Sequence, residues 1–130
     1  MNFVNKIQTL FIVPAARKHI LKVIGMLKQS PYEKLINLNY EKITTRLSMD
    51  KIVKSYFWAS RTIKKDLCLP RSIALYQYLK AAGYAVEHKF GVNKKDQTLE
   101  AHSWVEYQQL PLNELPNLKD KFKVMEKIKT

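Results

Sequence analysis

The stretch CLPRSIALYQYLKAAGYAVEHKFGV, residues 68–92, changes its hydrophobic period partway along. In its first part Ile73, Tyr76, Leu79 and Lys80 fall on neighbouring turns of a helix. From Val86 onward the period drops to two, and Val86, His88, Phe90 and Val92 line one face of a strand. Pro70 stands in the first helical turn, where its missing N–H costs nothing. Gly83 suits the position just past a helix end. The spacing predicts a helix from about Leu69 to Ala82, then a strand. Cys68, the one cysteine of the chain, sits where that helix begins.

Working outward, LEAHSWVEY (99–107) alternates strictly. Leu99, Ala101, Ser103, Val105 and Tyr107 share one face; Glu100, His102, Trp104 and Glu106 share the other. It is the second arm of a hairpin, with the polar residues Asn93 to Thr98 as the turn. QQLPLNELP leads out through a short extended piece, and the basic tail from Lys119 to Thr130 reads as a final helix. Upstream, Ser48-Met49-Asp50-Lys51 opens a helix in which Ile52, Val53, Tyr56, Phe57, Ala59, Ser60 and Ile63 recur at helical spacing. Residues 32–46 are a helix or a loop. Residues 1–29 read as an amphipathic helix interrupted or restarted at Pro14, with a break at Ser30-Pro31. The predicted class is α+β: a basic helical region over 1–50, then a core over 51–130 in which a Cys-bearing helix packs on a small antiparallel sheet.

The 130 residues are enough for one modest core, and a hydrophobic content of 46% describes a globular chain. The formal charge is +12, unevenly spread: residues 1–66 carry net +9 and residues 67–130 net +3. A basic front half suggests an acidic partner, or simply a lysine-rich surface. LFIVPAA (10–16) is far shorter than the roughly 20 residues that span a bilayer, and it lacks the flanks of a secretory signal. One cysteine forms no internal disulfide, which fits a reducing, cytoplasmic setting. With three histidines and one cysteine a dedicated zinc site is not expected.

A thiol attacks as thiolate, and an ordinary cysteine is only a few per cent ionised at neutral pH. The positive end of a helix and a nearby imidazolium both raise that fraction. Cys68 has the first from its own helix; otherwise a lone cysteine is commonly a small buried hydrophobe. Three histidines compete for the second role. His19 lies among basic residues, whereas His88 and His102 lie on the two hairpin strands. His102 is the better placed, between Glu100 and Trp104 on one strand face, but the residues alone leave the choice open. PLNE (111–114) offers Asn113 or Glu114 to fix the imidazole tautomer.

Together the two blocks are more specific than their parts. CLPRSIALYQYLKAAG, then GV, then AHSWVEYQQLPLNE resemble the leader peptidases of lasso-peptide biosynthesis, the protease portion of the B protein of the microcin-processing type. The matching positions are Cys68, Leu69, Arg71, Ser72, Ala74, Leu75, Gly83, Gly91, Val92, Ala101, His102, Trp104, Val105 and Glu106. They lie within residues 52–118. The resemblance implies a transglutaminase-like fold of the wider papain-like class, with Cys68 as nucleophile and His102 as general base. The third member, usually Asp, falls on Glu114, one methylene longer, so that Asn113 is its alternative. Arg71, Trp104 and Asn113 are candidates for substrate or partner contact.

The implied reaction is removal of the leader from a precursor peptide. The chain carries no fused recognition module in front, which implies the split form with a separate leader-recognition protein. An ATP-dependent cyclase would act afterwards. No metal, nucleotide or other cofactor is expected for the cysteine chemistry. Two rival functions remain at this stage: a non-catalytic basic module for peptide or nucleic acid, and an acyltransferase on the same fold.

Overall fold

The computed structural model describes residues 3–39, 41–64, 67–95, 97–113 and 123–125; of residues 3–11, 95, 123 and 125 it describes the backbone alone. Among the described residues the helices come first: α1 (Phe3–Leu27), α2 (Tyr32–Ile36), α3 (Met49–Arg61) and α4 (Cys68–Ala81). The described strands follow: β1 (Val86–Lys95), β2 (Thr98–Tyr107), β3 (Leu110–Pro111) and β4 (Lys123–Met125). The strands form one sheet in the order β3-β2-β1-β4, and each described pairing is antiparallel. This is the α+β arrangement expected: a helical N-terminal part, then a Cys-bearing helix packed on a small antiparallel sheet.

Local chemistry explains the helix ends. Ser48 caps α3, its hydroxyl accepting from the Lys51 N–H at 3.3 Å. Pro70 falls in the first turn of α4, and Gly83 follows the helix with φ 97°, a backbone that favours glycine. The Tyr84 N–H then reaches back to the Leu79 carbonyl at 2.9 Å and closes the end of the helix.

One buried cluster joins the helices to the hairpin. Ala16, Ile20 and Val23 of α1 meet Ile52, Val53, Tyr56 and Ala59 of α3. Ile73, Ala74, Leu75, Tyr76 and Leu79 of α4 carry that cluster to Val86 of β1 and Val105 of β2. Burying a side chain of this size contributes about 1.5–3 kcal/mol, so this apolar seam fixes α4 against β2.

Three expectations need correction. First, α1 runs unbroken through Pro14. A proline removes one helical hydrogen bond and crowds the preceding turn, but the residues beyond it keep burying one face, and tertiary packing outweighs the local loss. Second, the hairpin arms are longer than the polar residues suggest. Asn93 pairs with Glu100, Lys94 with Leu99 and Lys95 with Thr98, because backbone ladder bonds form equally well beneath solvated side chains. Third, Lys123–Met125 is a strand, not part of a helix; it pairs with Phe90, Gly91 and Val92 and covers the outer edge of β1. Residues 32–46, left between helix and loop, resolve into the short α2 and a segment without regular structure among its described residues.

Candidate active site

Cys68 is the first residue of α4 and is half-buried. Leu67, which precedes it, supplies no side-chain cap, so Cys68 stands in a first turn whose free N–H groups carry the partial positive charge of the helix, with none contributed by Pro70. The sulfur lies beside β2. It is within hydrogen-bonding reach of the His102 imidazole, the Ser103 hydroxyl and the Ser103 backbone N–H.

These contacts have an electrostatic result. The Cys68 thiol is held below the ordinary thiol range, at about 7. The hydrogen bond with His102 is the largest cause. Partial burial opposes it, and the two donors from Ser103 and the charge of the imidazole add to the lowering. A substantial fraction of the sulfur is therefore thiolate at neutral pH.

β2 is suited to hold these groups. Successive side chains leave a strand on opposite faces, so His102 and Ser103 flank the sulfur from two sides. On the His102 face, Trp104 stacks against the imidazole with ring centroids 5.9 Å apart and planes inclined by 24°. Trp104 is itself 2% exposed, and its Nε1–H donates to the carboxylate of the buried Glu106 at 2.8 Å. The row His102, Trp104, Glu106 thus restrains the ring from behind. On the other face Ser103 points toward α4, where Ser72 donates to its hydroxyl oxygen at 3.0 Å.

The three histidine rings are held in different surroundings. His19 lies between Tyr56 and Gln77, at 2.6 and 2.7 Å. Burial is the main cause that lowers its pKa; the bond to Gln77 opposes this, and Lys22 adds to it. His88 lies between the Tyr32 hydroxyl and Ser72 Oγ. His88 is partly buried, both ring nitrogens are hydrogen-bonded, and desolvation lowers its pKa to about 3. His102 is the histidine in contact with Cys68.

The remaining candidates are placed as follows. Glu114 lies outside the described residues. Asn113 is exposed and adopts a left-handed backbone, φ 56°, just after Leu112, whose N–H donates to the Val105 carbonyl at 2.9 Å. Arg71 turns toward α3: its guanidinium lies 3.9 Å from the centroid of Phe57, and Nη1 donates to Ser60 Oγ at 3.5 Å. Trp104 is packed against His102. Among the described residues, no group of three or more His, Cys, Asp or Glu side chains is arranged to hold a metal ion. Nor is any helix among them long and apolar enough to cross a membrane.

Sequence reasoning gave no site role to Ser103, Ser72 and Tyr32, and weighed His88 only as a rival of His102 for Cys68. A signal was present for two of them. Ser72 stands one helical turn after Cys68, and Ser103 follows His102 on the opposite strand face.

No curated protein and no solved structure gives a significant match to the chain. The family description that does match is that of the transglutaminase-like superfamily, over residues 33–127, a span that includes Cys68, the hairpin and β4. The matched span holds both the cysteine at the head of α4 and the histidine on β2. This chain belongs to the transglutaminase-like superfamily, in the branch associated with the B proteins of lasso-peptide biosynthesis.

Proposed function

We propose that the protein is a cysteine peptidase that removes the leader from a lasso-peptide precursor. One observation carries this reading: the half-buried Cys68, first residue of α4, shares a hydrogen bond with the His102 imidazole of β2, the largest cause that holds the thiol below its ordinary range. A purely structural cysteine has no need of such surroundings.

In the proposed reaction His102 takes the thiol proton and Cys68 attacks the carbonyl at the leader–core junction. The tetrahedral oxyanion is stabilised by backbone N–H groups at the uncapped start of α4. The C–N bond breaks as the imidazolium protonates the leaving amine, which becomes the free N-terminus of the core. Water, deprotonated by His102, then hydrolyses the thioester and restores the thiol. Glu114 or Asn113 would orient the imidazole from the segment after β3. Asn113, which is exposed, keeps its proposed part in substrate or partner contact, whereas Trp104, buried behind His102, and Arg71, turned onto Phe57 and Ser60, would serve it by bracing the site.

The proposed partners are the precursor peptide, a separate leader-recognition protein and, downstream, an ATP-dependent cyclase that uses the freed amine. Lys18, Lys22 and Lys28 are exposed on the basic front half and offer a docking face for an acidic leader or for the recognition protein.

The test is incubation of a lasso precursor with its leader-recognition protein and either the parent chain or Cys68→Ala. The expected products are a leader ending in a free carboxylate and a core with a free amine, from the parent alone. Equal cleavage by both proteins would remove Cys68 from the reaction. A leader recovered as an amide would point instead to acyl transfer.

A further inference from the structure

Behind Ser103 a line of hydrogen bonds crosses four elements. Tyr32 of α2 meets His88 Nδ1; His88 Nε2 of β1 lies 2.8 Å from Ser72 Oγ of α4; Ser72 Oγ lies 3.0 Å from Ser103 Oγ of β2. Ser72 and Ser103 are 4% and 1% exposed, and water has little access to their hydroxyls. The line ends at Cys68, whose sulfur is within reach of both the hydroxyl and the backbone N–H of Ser103.

Each hydroxyl has one proton, so two settings run unbroken along the whole line. In the first, the Tyr32 hydroxyl donates to Nδ1 and the His88 Nε2–H donates to Ser72. Ser72 then donates to Ser103, and the Ser103 proton points at sulfur. In the second, every bond is reversed: the thiol donates to Ser103, Ser103 to Ser72, Ser72 to Nε2, and Nδ1–H to Tyr32. The Leu69 carbonyl, 3.0 Å from Ser72 Oγ, also accepts from that hydroxyl and competes with Ser103 for its proton.

We infer that Tyr32, His88, Ser72 and Ser103 form a proton-ordered line that aims the Ser103 hydroxyl at Cys68 and stabilises its thiolate, a second activating device besides His102. Ser103 touches the reacting atom; Ser72, His88 and Tyr32 are positioning residues that act through it. The line requires a neutral imidazole at position 88, since a doubly protonated ring would donate at both nitrogens. Desolvation of the ring, with both nitrogens engaged by hydroxyl groups, keeps it neutral at working pH. Tyr76 packs edge-on against the His88 ring, with centroids 6.2 Å apart, and holds its plane. This role rests on Cys68 being the nucleophile, but its test does not require peptidase activity.

The experiment has two arms. Nitrogen-15 imidazole spectra of the parent at pH 8 are expected to place the His88 proton on Nε2 when Cys68 is thiolate. The Nδ1–H tautomer would overturn the assignment. In the second arm, the pH profile of iodoacetamide alkylation of Cys68 reports its thiolate fraction. Ser103→Ala is expected to raise the midpoint by about one pH unit, and Ser103→Thr to restore most of it. Tyr32→Phe and Ser72→Ala are expected to move it the same way by less. Tyr32→Phe removes a single oxygen far from the sulfur, so the arm does not depend on a disruptive variant. Unchanged midpoints in Ser103→Ala and Ser72→Ala would overturn the proposal, whatever the cleavage assay gives.

Discussion

The indole of Trp104 lies nearly parallel to the imidazole of His102, inclined by 24° with centroids 5.9 Å apart, while its N–H is fixed on the carboxylate of Glu106. The ring that meets the thiol is thus backed by a buried aromatic plane tied to a buried acid. Trp104→Phe would keep an aromatic face but lose the donor to Glu106. The expected cost is about 1–3 kcal/mol of stability, read by urea denaturation, with the alkylation profile of Cys68 nearly unmoved. A change below about 0.5 kcal/mol would mean that the Trp104–Glu106 bond contributes little.

His102→Asn removes the largest cause of the low thiol pKa. The thiol then returns toward about 8.5, and its thiolate fraction at pH 7 falls from about half to a few per cent. Alkylation at pH 7 should slow by roughly tenfold. The rate at pH 10, where the thiol is ionised in both proteins, should nearly match the parent. A parent-like rate at pH 7 would show that the imidazole does not set the thiolate fraction.

His88 and His19 predict a pH dependence of stability. Both have lowered pKa values in the folded state: His88 about 3, His19 below the ordinary histidine value. Above about pH 6.5 both imidazoles are neutral in folded and unfolded chains alike. As pH falls below that value the unfolded chain takes up protons that the folded chain resists, so stability declines on acidification. For His88 the loss approaches about 1.4 kcal/mol per pH unit until pH nears its folded value. Urea midpoints at pH 7, 6 and 5 should therefore fall before ordinary carboxylates titrate. A level midpoint across that range would contradict the buried, neutral assignment.

Gly83 has a left-handed backbone in the turn between α4 and β1, and nothing lies within 4 Å of where a Cβ would stand. The cost of Gly83→Ala is therefore conformational, about 1–2 kcal/mol, with no steric clash added. Gly83→Asn should cost less, because asparagine tolerates this region. A thermal melt of the two variants checks the order. Alkylation of Cys68 should be unchanged in both, since the turn lies at the far end of α4.

Much of the fold was legible along the chain. The change from helical to alternating spacing at Val86 marks the join between α4 and β1, and Ser48 and Gly83 mark a helix start and a helix end. Cys68 could be placed at the head of its helix from Pro70 alone, and His102 and Trp104 on one strand face from alternation. These features are local: helix and strand periods and terminal residues act within a few positions of one another.

Other features could not be read that way. That α1 continues through Pro14, that the hairpin extends to Lys95 and Thr98, and that Lys123–Met125 closes the edge of β1 all depend on partners distant in sequence. The same holds for the histidines. His88 and His102 occupy comparable strand positions, yet one ring is held between Tyr32 and Ser72 and the other meets the sulfur. The sequence by itself determined α3, α4, the two faces of the hairpin strands and the residue types able to do chemistry. The packing of α4 on β2 decided which of them meet, because the apolar seam from Ile73 to Val105 fixes the offset and rotation of the helix against the strand.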